Sequence, residues 1–229
     1  MFGNFFNVRS LLALIAHTLL WCNFVQANKL QVGFAQVPVT PSVIDEWVDV
    51  NNDAQFDPDI DTWTDKNGNG VFDPVWIAGF QKGRAAQGIK DDLMAVAVVI
   101  DDGDQRMAVV AVDTIGLMRK FVLDVRQSTN KEWGLDHLMI HATHNHEGPD
   151  TQGLWGPDLF ESGVNQDYMR ELKGSILSVI ETAISKLEPA EMSIARIGAD
   201  PRTPIKDKRK PIVIDEDIRA LLFRRPDQS

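Results

Sequence analysis

Apolar positions along residues 30–223 follow the strand period and the helical period in turn. Residues 30–39 open with Leu-Gln-Val-Gly-Phe-Ala-Gln-Val and predict a first strand, with Pro38 and Pro41 ending it. Residues 94–100 and 107–112 are apolar, β-branched runs separated by Asp101-Asp102-Gly103-Asp104, which predicts a hairpin whose strands are buried on both faces. Residues 117–128 set Leu, Phe and Val among Arg, Lys and Asp at helical spacing, and residues 137–143 are strand-like again, so a helix is expected to pack back over the sheet. The clearest helix is 167–187, which places Leu172, Ile176, Val179, Ile180, Ala183, Ile184 and Leu187 on one core-facing stripe before Glu188-Pro189. Residues 191–198 and 215–223 read as further strands, joined by the basic, Pro-bearing segment 201–211, a solvated connection. The fold class is therefore α/β, a mixed β-sheet flanked by helices, in a domain over residues 28–229 that reads as interrupted near its carboxyl end.

Residues 1–27 follow another pattern: Arg9, an apolar run from Leu11 to Cys22, then Val25-Gln26-Ala27. That succession predicts a signal peptide cleaved after Ala27 and an exported, periplasmic or secreted product; an uncleaved anchor is the alternative reading. The run is too short to cross a bilayer comfortably, and nothing later reaches the roughly 20 apolar residues that a spanning helix needs. Cys22 is the only cysteine and would leave with the signal, so no disulfide is available to the mature chain. Cleavage also removes one cation, moving the formal charge from −10 to 22 − 33 = −11, a poor surface for nucleic acid.

Between the first strand and the hairpin lies an acidic, Asn-rich insert, residues 45–74, that repeats itself after 16 positions. Trp47 falls on Trp63, Asp49 on Asp65, Asn51 on Asn67, Asp53 on Asn69, Ala54 on Gly70, and Phe56-Asp57-Pro58 on Phe72-Asp73-Pro74. In the second copy Asp65, Asn67, Asn69 and Asp73 occupy positions 1, 3, 5 and 9 of a calcium loop, with Gly70 at 6 and the carbonyl of Val71 at 7. Asp49, Asn51, Asp53 and Asp57 repeat the set with Ala54 in the glycine place, so that loop is expected to bind calcium more weakly. Position 12 is Ile60 or Trp76, so the bidentate Glu of an EF-hand is missing. The plainer alternative is a solvated acidic loop of Asx turns without an ion.

Every histidine after residue 27 lies in a ten-residue window: His137, His141, His144 and His146. Gly148-Pro149 forces a turn where the strand runs out, and the carboxyl ends of α/β strands are where ligand sites form. In extended backbone, residues two apart share a face, so His144 and His146 are expected to aim into one volume, with Glu147 or Asp150 as a nearby carboxylate. Asp113, at the end of a strand, either contributes or caps a turn. The plainer alternative is a set of hydrogen-bonding histidines.

Four stretches together resemble the neutral/alkaline, non-lysosomal ceramidases, zinc amidohydrolases that split ceramide: residues 79–99, 109–126, the His-Ala-Thr-His-Asn-His-Glu-Gly run at 141–148, and helix 167–187. The likeness runs over roughly residues 79–223. It implies that His144 is a zinc ligand and that His146 lies in the catalytic centre, binding metal or transferring a proton; the neighbouring carboxylate Glu147 is the other catalytic candidate, and the cofactors expected are zinc from this likeness and calcium from the acidic loops. The sequence departs from the family at Glu147, where a small hydroxyl residue is usual, at Asp150-Thr151, and in the acidic repeat. The family's other zinc ligands would lie beyond Ser229. The resemblance thus implies an amide hydrolase acting on a lipid-like substrate, touching membrane through its substrate alone. A secreted, calcium-stabilised binding module without catalysis is the competing reading.

Overall fold

The computed structural model describes residues 30–198, 207, 209–215 and 217–226. The signal-peptide reading and most of the basic segment lie outside the described residues. Strand β1, Gln31–Pro38, pairs antiparallel with β4, Met94–Asp101, which pairs antiparallel with β5, Arg106–Val112; β5 runs parallel to β6, His137–Ala142. Adding the two-residue β7, Glu188–Pro189, beside β1 gives a mixed sheet in the order β6-β5-β4-β1-β7. The parallel pair is joined by helix α1, Arg119–Gln127, the crossover that parallel strands require. Helix α2, Gln166–Ser185, begins at Asn165, whose side chain accepts from the amides of Asp167 and Tyr168, as N-capping demands.

The expected apolar stripe of α2 meets the sheet: Leu172, Ile176, Val179, Ile180 and Ala183 join Ala35, Ala95, Ala97, Val99, Ala108, Val110 and Val112 in one buried cluster with Val125 of α1. Small sheet residues let the helix approach closely, and a Cβ at Gly33 would lie 1.9 Å from the carbonyl oxygen of Ala183. The hairpin strands are buried on this face only; Met94, Val96, Val98 and Ile100 are half-buried on the other, and Phe34 is 53% exposed there. The continuous apolar runs of β4 and β5 had predicted burial on both faces. One face is open instead, because α1 and α2 share the same core.

Two smaller units stand apart from this sheet. In the acidic insert, β2, Glu46–Val48, pairs antiparallel with β3, Thr62–Thr64, so that Trp47 lies opposite its repeat mate Trp63. Phe56 and Phe72, also repeat mates, pack 4.2 Å apart between centroids, with Trp47 and Trp63 against them at 5.7 and 5.4 Å. The repeated Phe thus supplies a small aromatic core to both loops. The last strands, β8, Glu191–Gly198, and β9, Asp217–Arg224, form their own antiparallel hairpin with nearly all residues exposed. Among the described residues no helix is long and apolar enough to cross a membrane.

Candidate functional site

The histidine loop leaves the carboxyl end of β6 beside the carboxyl end of β5, the end of the sheet where its two parallel strands finish. The amide of Thr143 donates to the carbonyl of Val112 at 3.0 Å and that of Asn145 to Thr114 at 3.1 Å, so the loop stays zipped to the β5 exit. Asp113 braces the same corner: its carboxylate accepts from the Thr143 hydroxyl and the Met94 amide, both at 2.9 Å. It acts there as the strut that caps a turn.

His144 has φ +65°, the left-handed region that side chains other than Gly, Asn and Asp adopt at a cost. Its Nδ1 lies 2.7 Å from the carbonyl oxygen of Ile115, which can only accept, so Nδ1 carries a proton and in the neutral ring Nε2 presents the lone pair. A histidine that ligates metal is usually oriented in this way. The ring of His146 meets that of His144 edge-to-face at 4.7 Å. The two imidazoles do converge, but through the left-handed turn at His144; β6 has already ended at Ala142, so extended alternation is not the cause.

Segment 76–85 builds the other wall. Ile77 bridges to Pro149, the Ala78 amide donates to Gly148 at 2.9 Å, and Phe80 packs edge-to-face on His146 at 5.2 Å. Gly79, at φ +114°, passes so close that a Cβ there would lie 2.6 Å from Cβ and Cγ of His146. Arg84, largely buried, pairs with Glu147 at 2.7 Å, sits over the Phe80 ring at 5.2 Å and reaches the His146 carbonyl at 3.5 Å. Glu147 is therefore beside the histidines but turned outward and engaged by Arg84. Asp150 is buried, and its carboxylate takes the amides of Gln152, Gly153 and Trp155, which commits it to its own loop. His137 and His141 lie on the exposed side of edge strand β6, away from the core. Thr114, in the β5 exit turn, has a buried hydroxyl with no partner in the described structure, a polar group that costs about 1–3 kcal/mol to leave unpaired.

Gly79, Phe80, Arg84, Thr114 and the Ile115 carbonyl carry no sign of these roles in the sequence; Arg84 acts through an ion pair 63 positions away, and the others through long-range packing or backbone. The donor set near the loop fits part of a metal site: two imidazoles, one with its tautomer fixed. Among the described residues no three His, Cys, Asp or Glu side chains come together to hold an ion.

In the acidic insert both loops are closed by bonds from backbone amides to Asp and Asn side chains. Asp65 accepts from the amides of Gly68, Asn69 and Gly70, while Asn67 and Asn69 both donate to Asp73 at 2.8 and 2.7 Å. In the first loop Asp49 accepts from Asp53 and Ala54, but Asp57 turns to the Asp59 amide instead. Ala54 has φ +60° where Gly70 has +77°, the strain expected of an alanine in that place.

No protein-family model matches the chain, and no curated protein sequence matches it significantly. Its fold is similar to solved structures that include two ceramidases. One is the neutral ceramidase of Pseudomonas aeruginosa, at TM-score 0.58 and 16% identity over 85% of this chain. The other is a ceramidase complexed with C2, at TM-score 0.59 and 18% identity over 85% of this chain. The chain spans 29% of the length of each. The fold is thus ceramidase-like: an α/β mixed sheet with helices.

Proposed function

We propose that this chain carries the histidine part of a zinc-dependent amide hydrolase site acting on a ceramide-like lipid, in an exported protein. The observation that carries the reading is the bond from His144 Nδ1 to the Ile115 carbonyl, which leaves Nε2 free to bind a metal at the strand ends of a ceramidase-like fold. Zinc held there would polarise a carbonyl and bring the pKa of a bound water toward about 7. His144 would hold the metal. His146, edge-to-face with it and backed by Phe80, would share the metal or hold a proton; Glu147 can serve in proton transfer only once its pair with Arg84 opens. A catalytic zinc takes three protein ligands, so the remaining ligand must come from outside the described set of two. Metal analysis and turnover of a fluorogenic ceramide test this: the full chain should hold zinc, and His144→Ala should lose it together with any turnover. Unchanged zinc content in His144→Ala removes the proposal. The export reading stands or falls on the mature amino terminus, expected at Asn28.

A second reading is favoured by the Asp65 loop, where Asp65 gathers three loop amides and the Asn67 and Asn69 side chains meet the Asp73 carboxylate. In it the insert binds calcium and stabilises a module without catalysis. Asp65, Asn67, Asn69, Asp73 and the Val71 carbonyl would form the stronger site, and Asp49, Asn51, Asp53 and Asp57 the weaker, with affinity on the order of 10⁻⁴ to 10⁻³ M. Excess chelator should then lower the melting temperature and expose residues 45–74 to protease, an effect that Asp65→Ala abolishes. Identical melting in chelator and in millimolar calcium rules the ion out.

A further inference from the structure

Residues 150–164 form a loop folded tightly on itself. The buried Asp150 carboxylate gathers the amides of Gln152, Gly153 and Trp155, and a Cβ at Gly156 would lie 2.1 Å from the carbonyl oxygen of Glu161. The loop is tied to segment 76–85 as well: Trp155 donates its indole N–H to the Phe80 carbonyl at 3.0 Å, the Gly83 amide donates to Gly156 at 2.9 Å, and the Lys82 ammonium donates to the Leu154 carbonyl. What is left at the tip is Pro157-Asp158-Leu159-Phe160, closed by the Asp158 carboxylate on the amides of Phe160 and Glu161. Leu159 is 76% exposed and Phe160 96%. A loop held at this many points does not leave two large apolar side chains in water through slackness. Phe80 and Leu154, on the segments those bonds join, are exposed too.

In a chain of formal charge −10, the loop flank at Gly153 and Ser162 shares a cleft with Met118, Arg119 and Lys120. Neither cation has an ion-pair partner among the described residues. Arg170 and Lys173 line the same cleft and are paired with Asp167 and Asp124. Of the loop's own acids, Asp158 is turned onto backbone amides and Glu161 is exposed.

We propose that the Leu159-Phe160 tip is a membrane-insertion wedge, entering the interfacial zone of a phospholipid bilayer while Arg119 and Lys120 meet lipid phosphates. An exposed apolar pair on a loop whose flank shares a cleft with two unpaired cations matches the two layers of a lipid surface, acyl boundary and phosphate. Through Phe80, whose ring touches His146 and whose carbonyl holds Trp155, the wedge would also set the histidine face toward the lipid. The inference requires no hydrolysis at His144, so it can fail or stand separately from the function proposed above.

The test uses the full chain with vesicles of phosphatidylcholine, with and without added phosphatidylserine. Wild type should sediment with both and more strongly with the anionic ones, and Phe160→Trp should show blue-shifted emission quenched by bromine-labelled acyl chains. The double variant Leu159→Asp, Phe160→Asp should partition at least about tenfold more weakly, since it gives up the transfer of two large apolar side chains. Because both positions are exposed, its far-ultraviolet circular dichroism and melting should match wild type, and Ile194→Asp on the exposed β8–β9 hairpin should partition normally. Wild type remaining in the supernatant, or a double variant that partitions as wild type does, overturns the proposal. So does loss of partition in Ile194→Asp alone.

Discussion

Asp45 and Asp61 each close the loop that the other introduces. Asp45 accepts from the amides of Lys66 and Asp73 at 2.9 and 2.8 Å; Asp61, sixteen positions later, accepts from the amides of Val50 and Asp57 at 2.9 and 2.8 Å. Those amides are themselves sixteen positions apart, so the sequence repeat is a pseudo-two-fold exchange in space. Both carboxylates are buried. Asp45→Ala strands two amides and should destabilise the protein by about 2–3 kcal/mol. Hydrogen exchange should quicken at Lys66 and Asp73, in the second loop; quickening confined to residues 49–57 would contradict the exchange.

Ala54→Gly is expected to stabilise the first loop. A non-glycine residue in the left-handed region costs about 1–2 kcal/mol, against which glycine's extra freedom in the unfolded chain takes back roughly 0.4–1, leaving a gain of about 0.5–1 kcal/mol. Urea unfolding measures it. A lower midpoint would mean that the turn is not strained as its φ of +60° implies.

Acid should open the second loop. The Asp65 carboxyl is held below its ordinary value of 3.8, chiefly by the Gly70 amide and, against desolvation, by those of Gly68, Asn69 and Asn67. A folded value below the unfolded one means that the stabilisation is complete above the unfolded value and is lost as pH falls through 3.8 and past the folded value. Protease protection of residues 65–73 should therefore be flat at neutral pH and collapse only on the acid side, and Asp65→Asn should abolish that step. The same acid step in Asp65→Asn would assign it to another group.

Gly79→Ala should disturb the histidine pair without touching a histidine. The new methyl group would meet His146 at 2.6 Å at a φ of +114° that alanine resists, so the loop must shift, at about 1–3 kcal/mol. The His144 and His146 ring resonances should move together in nuclear magnetic resonance spectra. Unmoved resonances with unchanged stability would show that the backbone passes farther from His146.

The main strands and both helices could be read from the sequence because each is long enough for its period to show, and the apolar stripe of α2 is found where it was expected. Strands β2 and β3, three residues each, are too short for a period. Their pairing was legible only as the Trp47 and Trp63 identity, and the exchange at Asp45 and Asp61 begins two positions before that match. The burial of β4 and β5 was over-read, because apolar runs do not tell a two-sided core from a sheet whose second face is half-open. At the candidate site the convergence of His144 and His146 was legible but not its cause. Arg84 lies 63 positions from Glu147, and no local pattern connects them.

The left-handed backbone at His144 sets fold stability against side-chain identity at one codon. Glycine or asparagine would sit there with less strain, by about 1–2 kcal/mol, against roughly 1 kcal/mol net for the imidazole's bond to the Ile115 carbonyl. A library randomised at position 144 and sorted only for resistance to unfolding should therefore drift toward Gly and Asn. If histidine returns only under selection for what the site binds, the strain at this residue is a cost the lineage has kept for use rather than for folding.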